Sequence, residues 1–594
     1  MIRPKYPHLI GLSNVQRYAA SAPVAELAVF APAGSGKTAV LAARAVHLVE
    51  AFGVHPSRIV AFTFTRAAAA ELRARVVELG GEDMALLRVT TFHAFALGIV
   101  RADPVPVGAP ECFTVATEDA VQSALASLYD GPLKRPEARR CSKSVLAKGL
   151  GKLYAEANMP EGTDLRALIG VFLDRLREFG LVPAGILPAM AVAAIQRSTK
   201  AGEALSEVSH VLVDEAHDCS RAELTLARMV SAQVKRGPGV LSLVLDPRQA
   251  IYGWRGGLGV DVAHGIEKDG VDAEWVDLRR TYRFGPAIAA VADRVAVLAC
   301  PEVTLAPTEV DPSLPSVVHV LQYPEVQGNL EDMVKAYGPA GVAILTRSRR
   351  EAENVVRLHG EQLCESVHDD HGEPSWVKLT RAACSLLVNP ADNVAFRMLY
   401  EAEEPYVAAR ASFETFARTT GRARFLLAEY LRALRAQEGD ATLLAWIAGI
   451  ESTDEVAVDA VAARVLAFER RDKSETVDPS TIYGPALERL GILGRSIRDA
   501  SDVLAFPSDA DRFETIAKAG RVAVSTVHAA KGREWPGVIV ATAEWPWHRK
   551  RDGSAAEEWR TFFVAITRAK SELAVAVPPD VDTGGIFEGI GGAP

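Results

Sequence analysis

The stretch ELAVFAPAGSGKTAVLAARAVHLVEAF, residues 26–52, decides the fold of the N-terminal part of the chain. It begins with a short apolar run, ELAVFA, which predicts a buried strand of a parallel sheet. It ends with TAVLAARAVHLVEAF, whose strong helix formers predict a crossover helix that covers such a sheet. A strand, a loop of small residues and a helix in this order predict an α/β domain.

The loop between the strand and the helix, APAGSGKT at residues 31–38, has the composition of a phosphate-binding loop. Small residues let backbone N–H groups approach phosphate oxygens at a helix N-terminus. The Lys37 ammonium would reach the β and γ phosphates, and the Thr38 hydroxyl would bind Mg²⁺. The loop therefore predicts a site for ATP and Mg²⁺, built from Ala33, Gly34, Ser35, Gly36, Lys37 and Thr38.

The strand pattern recurs in two groups along the chain. The first group continues with RIVAFTF (58–64), HVLVDE (210–215) and VLSLVLD (240–246), and the second comprises VAILTR (342–347), RVAVST (521–526), GVIVATA (537–543) and ELAVAV (572–577). Residues 103–207 and 363–520 are instead rich in Ala, Leu, Arg and Glu at helical spacing. The sequence predicts an α/β protein with two parallel sheets, each with a mainly helical insertion.

The acidic pair in HVLVDEAHD follows one of these strands. A lone Asp-Glu pair is usually a solvated strand end, but a phosphate site needs acidic groups of this kind. Asp214 would bind the Mg²⁺, and Glu215 would act as general base toward a water molecule. Together with the phosphate loop, the pair predicts an ATP hydrolase.

The overall composition excludes several classes of protein. The chain has 594 residues, which suggests about four domains, and it is 49% hydrophobic and 24% charged, so it can form sizeable cores. The net charge of −9 excludes a histone-like protein or a polybasic membrane binder. Any nucleic-acid site must be a local patch, and KRPEARRCSKSVLAKGLGK (134–152) and HRKR (548–551) are candidates.

Cysteine spacing and apolar runs indicate the cellular setting. The cysteines lie far apart without a CxxC pair, which excludes the usual zinc and iron-sulfur patterns and favours buried reduced thiols. The N-terminal MIRPKYPHLIGLS lacks an apolar signal core, and no apolar run reaches the roughly 18 to 20 residues that span a bilayer. We expect no membrane partner and a cytoplasmic location. The six cysteines are Cys112, Cys141, Cys219, Cys300, Cys364 and Cys384.

Ten motifs between Leu12 and Arg568 occur in a fixed order. They are LSNVQR, APAGSGKT, AFTFTRAAAAELRAR, TFHAFA, VLVDEAHD, LDPRQAIYGWRGG, LRRTYRFG, AILTRSRR, STVHAAKGREWPGV and VAITRAK. In these motifs the chain resembles the UvrD/Rep/PcrA-type superfamily 1A DNA helicases. The resemblance implies an ATP-driven motor on single-stranded DNA, in which two RecA-like (P-loop) parallel-sheet domains clamp ATP and each carries a mainly helical insertion.

The same resemblance implies domain boundaries. The first RecA-like domain (1A) would comprise residues 1–102 and 208–285, and its insertion (1B) residues 103–207. The second RecA-like domain (2A) would comprise residues 286–362 and 521–594, and its insertion (2B) residues 363–520.

Three residues are implied to bind the nucleoside part of ATP. Gln16 would read the adenine edge, because an amide matches its donor and acceptor groups. Tyr282 would stack on the base, and Glu534 would accept a hydrogen bond from the ribose.

Three further residues are implied to act on the phosphates. Gln249 would sense the γ-phosphate or its attacking water. Arg283 and Arg568 would neutralise charge that develops on the transferred phosphoryl group. Because Arg568 comes from the second sheet domain, hydrolysis would require the cleft to close.

The DNA contacts implied by the resemblance combine aromatic rings with polar and basic groups. Base stacking tolerates any sequence, and neighbouring hydroxyl or basic groups hold phosphates. The expected substrates are single-stranded DNA and junctions between single strand and duplex. The implied residues are Phe64, Thr91, His93, Tyr252, Trp254, Arg255, His528 and Lys531.

The chain departs from the family pattern at several places. Leu245 precedes Asp246 where Gly is usual, and Pro32 lies inside the phosphate loop. His217 replaces the usual Gln after the acidic pair, so the coupling role of this position is an open question. The second insertion is short for the family.

The leading interpretation is an ATP-dependent DNA helicase that moves 3′ to 5′ in repair, recombination or replication. A fused nuclease is disfavoured, because few residues follow Arg568 and neither insertion shows paired carboxylates with a Lys. The alternative is a DNA-activated ATPase subunit of a multi-protein, nuclease-containing complex in repair or anti-phage defence. A separate nuclease or other repair or defence protein therefore stays open as a partner.

Overall fold

The computed structural model describes most of the chain, and the secondary structure lies within the described residues. These are residues 6–111, 113–116, 118–129, 136–156, 159–178, 180–203, 205, 208–232, 239–259, 261–262, 273–301, 306–322, 325–368, 375–389, 392, 395–396, 398–399, 402, 443–450, 456–469, 480, 484, 487, 494, 496–497, 510–541, 545–547, 555–578 and 583–589. Cys112, residues 134–135 of the first basic stretch and the predicted HRKR patch at residues 548–551 lie outside them.

The strands are short and most are apolar. They are β1 Glu26–Phe30, β2 Ile59–Thr63, β3 Arg88–Thr91, β4 Thr114–Ala116, β5 Leu181–Pro183, β6 His210–Val213, β7 Leu241–Leu245, β8 Glu274–Asp277, β9 Val317–Leu321, β10 Val342–Thr346, β11 Cys364–Ser366, β12 Val522–Thr526, β13 Trp535–Ala541 and β14 Ala569–Ala576.

The α-helices alternate with the strands of the two large sheets and cluster elsewhere. They are α1 Asn14–Ser21, α2 Lys37–Glu50, α3 Arg66–Gly80, α4 Phe92–Ala102, α5 Glu118–Tyr129, α6 Lys143–Glu156, α7 Thr163–Glu178, α8 Leu187–Arg197, α9 Thr199–Glu203, α10 Arg221–Ser231, α11 Pro286–Ala299, α12 Val326–Tyr337, α13 Arg349–His359, α14 Ser375–Val388, α15 Leu443–Gly449, α16 Val458–Glu469, α17 Ala510–Lys518 and α18 Ala555–Ile566. No helix in this described set is long and apolar enough to cross a bilayer.

The chain divides into two compact units. One comprises residues 1–95, 202–369 and 508–594 and contains both large sheets, and the other comprises residues 96–201 and 370–507. The second unit contains two helical cores and the small parallel pair β4 and β5. The four-domain boundaries implied by the sequence stay a prediction.

The first large sheet is parallel, with strand order β3-β2-β6-β7-β1-β8. Strands β2, β6 and β7 are buried along their whole length, as expected for a sheet that helices cover on both faces. Because all strands run the same way, the loops after β1, β6 and β7 meet at one edge of the sheet. This edge receives the phosphate loop and the acidic pair.

The second large sheet is also parallel, with strand order β11-β12-β10-β13-β14-β9. Helices α11 and α18 pack on it, and Phe562 and Ile566 of α18 are buried in its core. The two sheets and their covering helices confirm the predicted α/β class. The five described cysteines are buried and form no disulfide with one another.

The sequence reading missed the strands β3, β8, β9 and β11. These four strands form the two edges of each large sheet. An edge strand has one neighbour and keeps partly exposed residues, so it lacks the continuous apolar run that identifies a central strand. Strands β4 and β5 were also missed, since three residues each are too few to show a period.

A buried arginine connects three elements under the first sheet. Arg44 of α2 donates from Nε to Ser242 Oγ of β7 (2.6 Å) and from Nη1 to the carbonyls of Ala19 (3.2 Å) and Ala22 (3.1 Å) at the end of α1. The residue is 1% exposed, and burial lowers its pKa to about 10. Arg44 therefore holds α1 against the helix that follows the phosphate loop.

We predict that Arg44→Met lowers the free energy of unfolding by at least about 2 kcal/mol, because it leaves buried acceptors without donors at about 1–3 kcal/mol each. Urea unfolding followed by circular dichroism measures the change. Ser242→Ala removes one of the acceptors and serves as a milder control. An Arg44→Met variant as stable as the wild type would show that these bonds do not hold α1.

Candidate functional site

The phosphate loop has a conformation that side chains would disrupt. Gly34 and Gly36 adopt left-handed φ angles of +75° and +83°, and a Cβ on Gly34 would lie 2.5 Å from Thr281 Oγ1. Thr281 Oγ1 itself donates to the Ala33 carbonyl (2.8 Å). The buried Ser35 Oγ has no hydrogen-bond partner among the described residues. A backbone cradle with an unsatisfied hydroxyl fits a phosphate ligand.

Gln16 ties the first helix to this loop. Ser13 and Gln16 form a capping box at the start of α1, in which Gln16 Oε1 accepts from the Ser13 N–H (2.8 Å). Gln16 Nε2 donates to the Ser35 carbonyl (2.8 Å). One amide hydrogen and one oxygen lone pair remain, so the predicted contact with adenine would have to use these.

Tyr282 lies beside the same loop with its ring 46% exposed. Its backbone N–H donates to the Gly34 carbonyl (2.8 Å), and the Arg280 guanidinium lies over the ring at 5.5 Å. The ring is therefore fixed next to the loop and open to a stacking partner.

The acidic pair stands at the end of β6, facing Lys37. Lys37 Nζ lies 3.7 Å from Glu215 Oε1, and Glu215 has a left-handed φ of 51°. Burial and the neighbouring Glu215 raise the pKa of Asp214. Burial also acts to raise the pKa of Glu215, but the surrounding cations outweigh this effect and lower that pKa. Glu215 is thus an ionised base, and ionised Asp214 needs a cation. The Asp214 carboxylate and the Thr38 hydroxyl together offer the oxygen ligands that Mg²⁺ prefers.

His217 is fully buried between the acidic pair and the next strand end. Its Nδ1 accepts a hydrogen bond from the Asp246 N–H (3.0 Å), so this nitrogen carries no proton. Burial and the charges of Lys531 and Lys37 hold the pKa of His217 well below its ordinary value. The neutral ring therefore carries its proton on Nε2, which lies 3.2 Å from Glu215 Oε2. This assignment follows from the hydrogen-bond network.

A chain of hydrogen bonds crosses from the second sheet to the first. Arg568 Nη2 donates to Gln249 Oε1 (3.0 Å), and Gln249 Nε2 donates to Asp246 Oδ2 (2.7 Å). Arg248 Nε donates to the other oxygen of Asp246 (2.8 Å). All four side chains are nearly fully buried. Burial and the charge of Arg283 lower the pKa of Arg568 to about 9.

Lys531 makes a second connection between the sheets. Its ammonium donates to the Asp218 carboxylate and to the Gln249 carbonyl (2.7 Å), and it lies 5.1 Å from the centre of the Tyr252 ring. The Lys531 side chain is 8% exposed. Burial raises the pKa of Asp218 to about 6, against the opposing effect of Lys531. The predicted DNA contact of Lys531 would require it to leave this pairing.

Arg283 joins the phosphate loop to the second sheet. Its Nε donates to Glu534 Oε2 (2.6 Å), and its Nη1 donates to the Thr567 carbonyl (2.9 Å). Lys570 Nζ lies 2.6 Å from the other oxygen of Glu534. Both oxygens of Glu534 are thus already in ion pairs, so its predicted ribose contact would share them.

Aromatic groups cluster next to these connections, with Trp254 exposed and Phe64, Tyr252 and His528 half-buried. Trp254 is 67% exposed, and the rings of Tyr252 and Phe64 are parallel within 2° with centroids 6.2 Å apart. The His528 ring meets Tyr252 edge-on at 5.9 Å, and the exposed Arg255 lies 5.5 Å from the Tyr252 ring. With Lys531, which also lies over the Tyr252 ring, the structure therefore brings together six of the predicted DNA residues.

Thr91 and His93 lie at the start of α4. Thr91 Oγ1 accepts from the Ala94 N–H (3.3 Å) and caps the helix. His93 Nδ1 lies 3.9 Å from a carboxylate oxygen of Glu223, and burial lowers the pKa of His93. These contacts give both residues a role in the fold, and their DNA contacts stay predictions.

Several residues of the site were not predicted from the sequence. Three of them pair with predicted residues that lie far away in the sequence, Asp218 with Lys531, Thr281 with Ala33 and Lys570 with Glu534. Asp246 and Arg248 bond to each other, and Asp246 also bonds to Gln249 in the same short segment. All five stood inside quoted motifs, since VLVDEAHD ends with Asp218, LDPRQAIYGWRGG contains Asp246 and Arg248, LRRTYRFG contains Thr281, and VAITRAK ends with Lys570. They are Asp218, Asp246, Arg248, Thr281 and Lys570.

Comparison with known proteins decides the family. Residues 12–259 match the UvrD/REP helicase N-terminal domain, and residues 496–578 match the UvrD-like helicase C-terminal domain. The chain belongs to the UvrD/REP helicase family. This UvrD-like helicase is an ATP hydrolase by class, as the resemblance implied.

Curated relatives match over most of the chain. The ATP-dependent DNA helicase PcrA of Leuconostoc citreum is 26% identical over 95% of this chain and 81% of the relative. The ATP-dependent DNA helicase UvrD1 of Mycobacterium tuberculosis is 28% identical over 96% of this chain and 82% of the relative.

We predict that His217→Gln keeps ATP turnover within a few-fold of the wild type, because an amide also offers one acceptor to the Asp246 N–H. His217→Leu should lower stability by about 1–3 kcal/mol, since it leaves the buried Asp246 N–H unpaired. Turnover and urea unfolding measured on both variants test this. Equal stability of His217→Leu and the wild type would contradict the bonding described above.

Proposed function

We propose that this UvrD-like helicase uses ATP hydrolysis to move 3′ to 5′ along single-stranded DNA and to open duplexes at junctions, in repair, recombination or replication. One observation carries the proposal. The short segment 246–255 bears Gln249, bonded to Arg568 at the ATP site, and also the exposed ring of Trp254. A strand bound to the rings would therefore act directly on the phosphate-sensing side chain.

The residues of the first sheet would bind and activate the substrate. Backbone N–H groups of the phosphate loop would hold the phosphates, and Lys37 would neutralise their charge. Thr38 and Asp214 would hold Mg²⁺, which supplies charge stabilisation when bound. Glu215 would accept the proton of the attacking water.

Groups where the two sheets meet would complete the site. Arg568 and Arg283 would place positive charge where the phosphoryl group becomes more negative, and Gln249 would align the water or the γ-phosphate. Because Arg568 belongs to the second sheet, opening of the cleft would withdraw it from the phosphates, and it would also separate Arg283 from Glu534 and Thr567. Hydrolysis would thus be linked to domain closure.

The aromatic rings would hold the strand without reading its sequence. Phe64, Tyr252 and Trp254 offer faces for stacking, at about 1–3 kcal/mol per base. Arg255 beside them would hold phosphates. Such contacts suit a motor that steps along any sequence.

The test is ATP-driven strand displacement on two duplexes that differ in the polarity of one single-stranded tail. We expect displacement from the 3′-tailed duplex and little from the 5′-tailed one. Glu215→Gln should bind ATP and lose about 100-fold or more of its turnover, because an amide cannot accept the proton. It should displace neither duplex.

Glu353→Gln, at an exposed glutamate of α13, is the matched control and should behave as the wild type. Displacement that prefers the 5′ tail would refute the polarity. DNA-stimulated turnover without displacement of either duplex would refute a stand-alone helicase and favour an ATPase subunit of a larger complex.

We predict that Trp254→Ala lowers affinity for single-stranded DNA about tenfold, because it removes stacking of about 1–3 kcal/mol per base. The ratio of the DNA-stimulated to the DNA-free ATPase rate should fall as well. The melting temperature should stay near that of the wild type, since the side chain is 67% exposed. Leu358→Ala, at another exposed apolar residue, is the control for surface truncation.

A Trp254→Ala protein with a lowered melting temperature and an unchanged stimulation ratio would refute the role of this ring as a base platform. Fluorescence anisotropy with a labelled oligonucleotide, ATPase rates and thermal melting provide the three measurements.

A further inference from the structure

Helix α18 of the second sheet lies along the segment that joins the phosphate sensor to the exposed rings. Near its start, a carboxylate oxygen of Glu557 lies 3.2 Å from where a Cβ on Gly253 would stand. Further along, the Phe563 ring packs 5.2 Å from the Arg248 guanidinium. Arg568, two residues beyond the helix, holds Gln249. One helix of the second sheet thus contacts the segment of the first sheet at several points.

Arg560, in the middle of α18, makes the central contact. Its Nε donates to the carbonyl of Ala250 (2.8 Å), and its Nη1 donates to the carbonyl of Ala299 (3.2 Å). Ala299 is the last residue of α11, where a helix leaves its carbonyls unpaired and favours a positive charge. The guanidinium is therefore anchored on the second sheet while it holds the backbone of the first.

The position of Ala250 makes this bond more than a packing contact. Ala250 directly follows Gln249, the proposed phosphate sensor, and Tyr252 lies two residues further on. Its carbonyl is thus held between the end of the segment that would sense ATP and the end that would bind the strand. With this point fixed, a displacement of Tyr252 cannot be absorbed by a local shift of the backbone and must turn the segment about Ala250.

We infer that Arg560 is a positioning residue that couples strand binding to ATP hydrolysis by fixing the Ala250 carbonyl to α18. The inference rests on the proposed function, since it presumes that single-stranded DNA binds the rings and stimulates the ATPase. Arg560 would touch neither ATP nor DNA. Its loss should separate the two activities and leave each binding site in place.

A matched control exists on the same sheet. Arg294 of α11 also donates to backbone carbonyls, to Ile586 (2.9 Å) and Glu588 (2.8 Å), and these acceptors belong to the second sheet's own C-terminal segment. Arg294→Ala therefore removes comparable hydrogen bonds without touching the segment 246–255. A purely structural role for Arg560 predicts that both alanine variants behave alike.

The experiment measures the full-length chain as wild type, Arg560→Ala, Arg560→Lys and Arg294→Ala. The readouts are the DNA-free ATPase rate, the rate with saturating oligothymidine, the oligothymidine affinity and the melting temperature. For Arg560→Ala we expect the ratio of stimulated to DNA-free rate to fall about tenfold, within the usual range of coupling between two sites. The DNA-free rate and the oligothymidine affinity should stay close to wild type. Arg294→Ala should keep the wild-type ratio.

Arg560→Lys provides a second test that keeps the charge and the stem of the side chain. A single ammonium cannot reproduce the forked geometry that reaches Ala250 and Ala299 together, so the ratio should be intermediate. A wild-type ratio in both Arg560 variants would overturn the inference, as would an equal fall in Arg560→Ala and Arg294→Ala. If oligothymidine did not change the ATPase rate of the wild type, that result would refute the proposed function itself, and the inference with it.

Discussion

The arrangement of the two large sheets depends on charges that are buried between them. Arg568 and Lys531 belong to the second sheet, and their partners Gln249 and Asp218 belong to the first. A buried charge is costly unless a partner compensates it, so each of these groups can stay buried only while its partner is in place. The same groups would have to act on ATP or DNA. The contacts that hold the cleft in this form are therefore the contacts that function would rearrange.

Parallel strand order explains how distant parts of the sequence reach this cleft. The loops that follow β1, β6 and β7 carry the phosphate loop, the acidic pair and the segment with Gln249, and these lie up to about two hundred residues apart in the chain. In a parallel sheet they all emerge at the carboxyl edge. Residues 96–201 and 370–507, which form the second unit, interrupt the sequence between strands of both sheets.

Sequence reasoning predicted the central strands and the types of residue at the site. It did not predict the edge strands or the side-chain pairs that form only in the folded chain. Central strands such as β2, β6 and β7 are buried along their whole length, whereas the edge strands β3, β8, β9 and β11 keep partly exposed positions and were not predicted. The motifs named Lys531 and Glu534, but only the folded chain pairs them with Asp218 and Arg283. Such pairings join residues hundreds of positions apart, and no local pattern encodes them.

The surroundings of Arg568 are ones that an anion would complement. Its guanidinium donates to the carbonyl of Val564 (2.9 Å), to Thr567 Oγ1 (3.2 Å) and to Gln249 Oε1 (3.0 Å), all of which are neutral acceptors. Burial lowers its pKa to about 9, because the charged guanidinium is desolvated and has no directly bonded carboxylate. A phosphate in the cleft would supply the missing negative charge and offset that cost. Nucleotide binding would then favour the closed cleft because it stabilises a charge that the fold has already placed there.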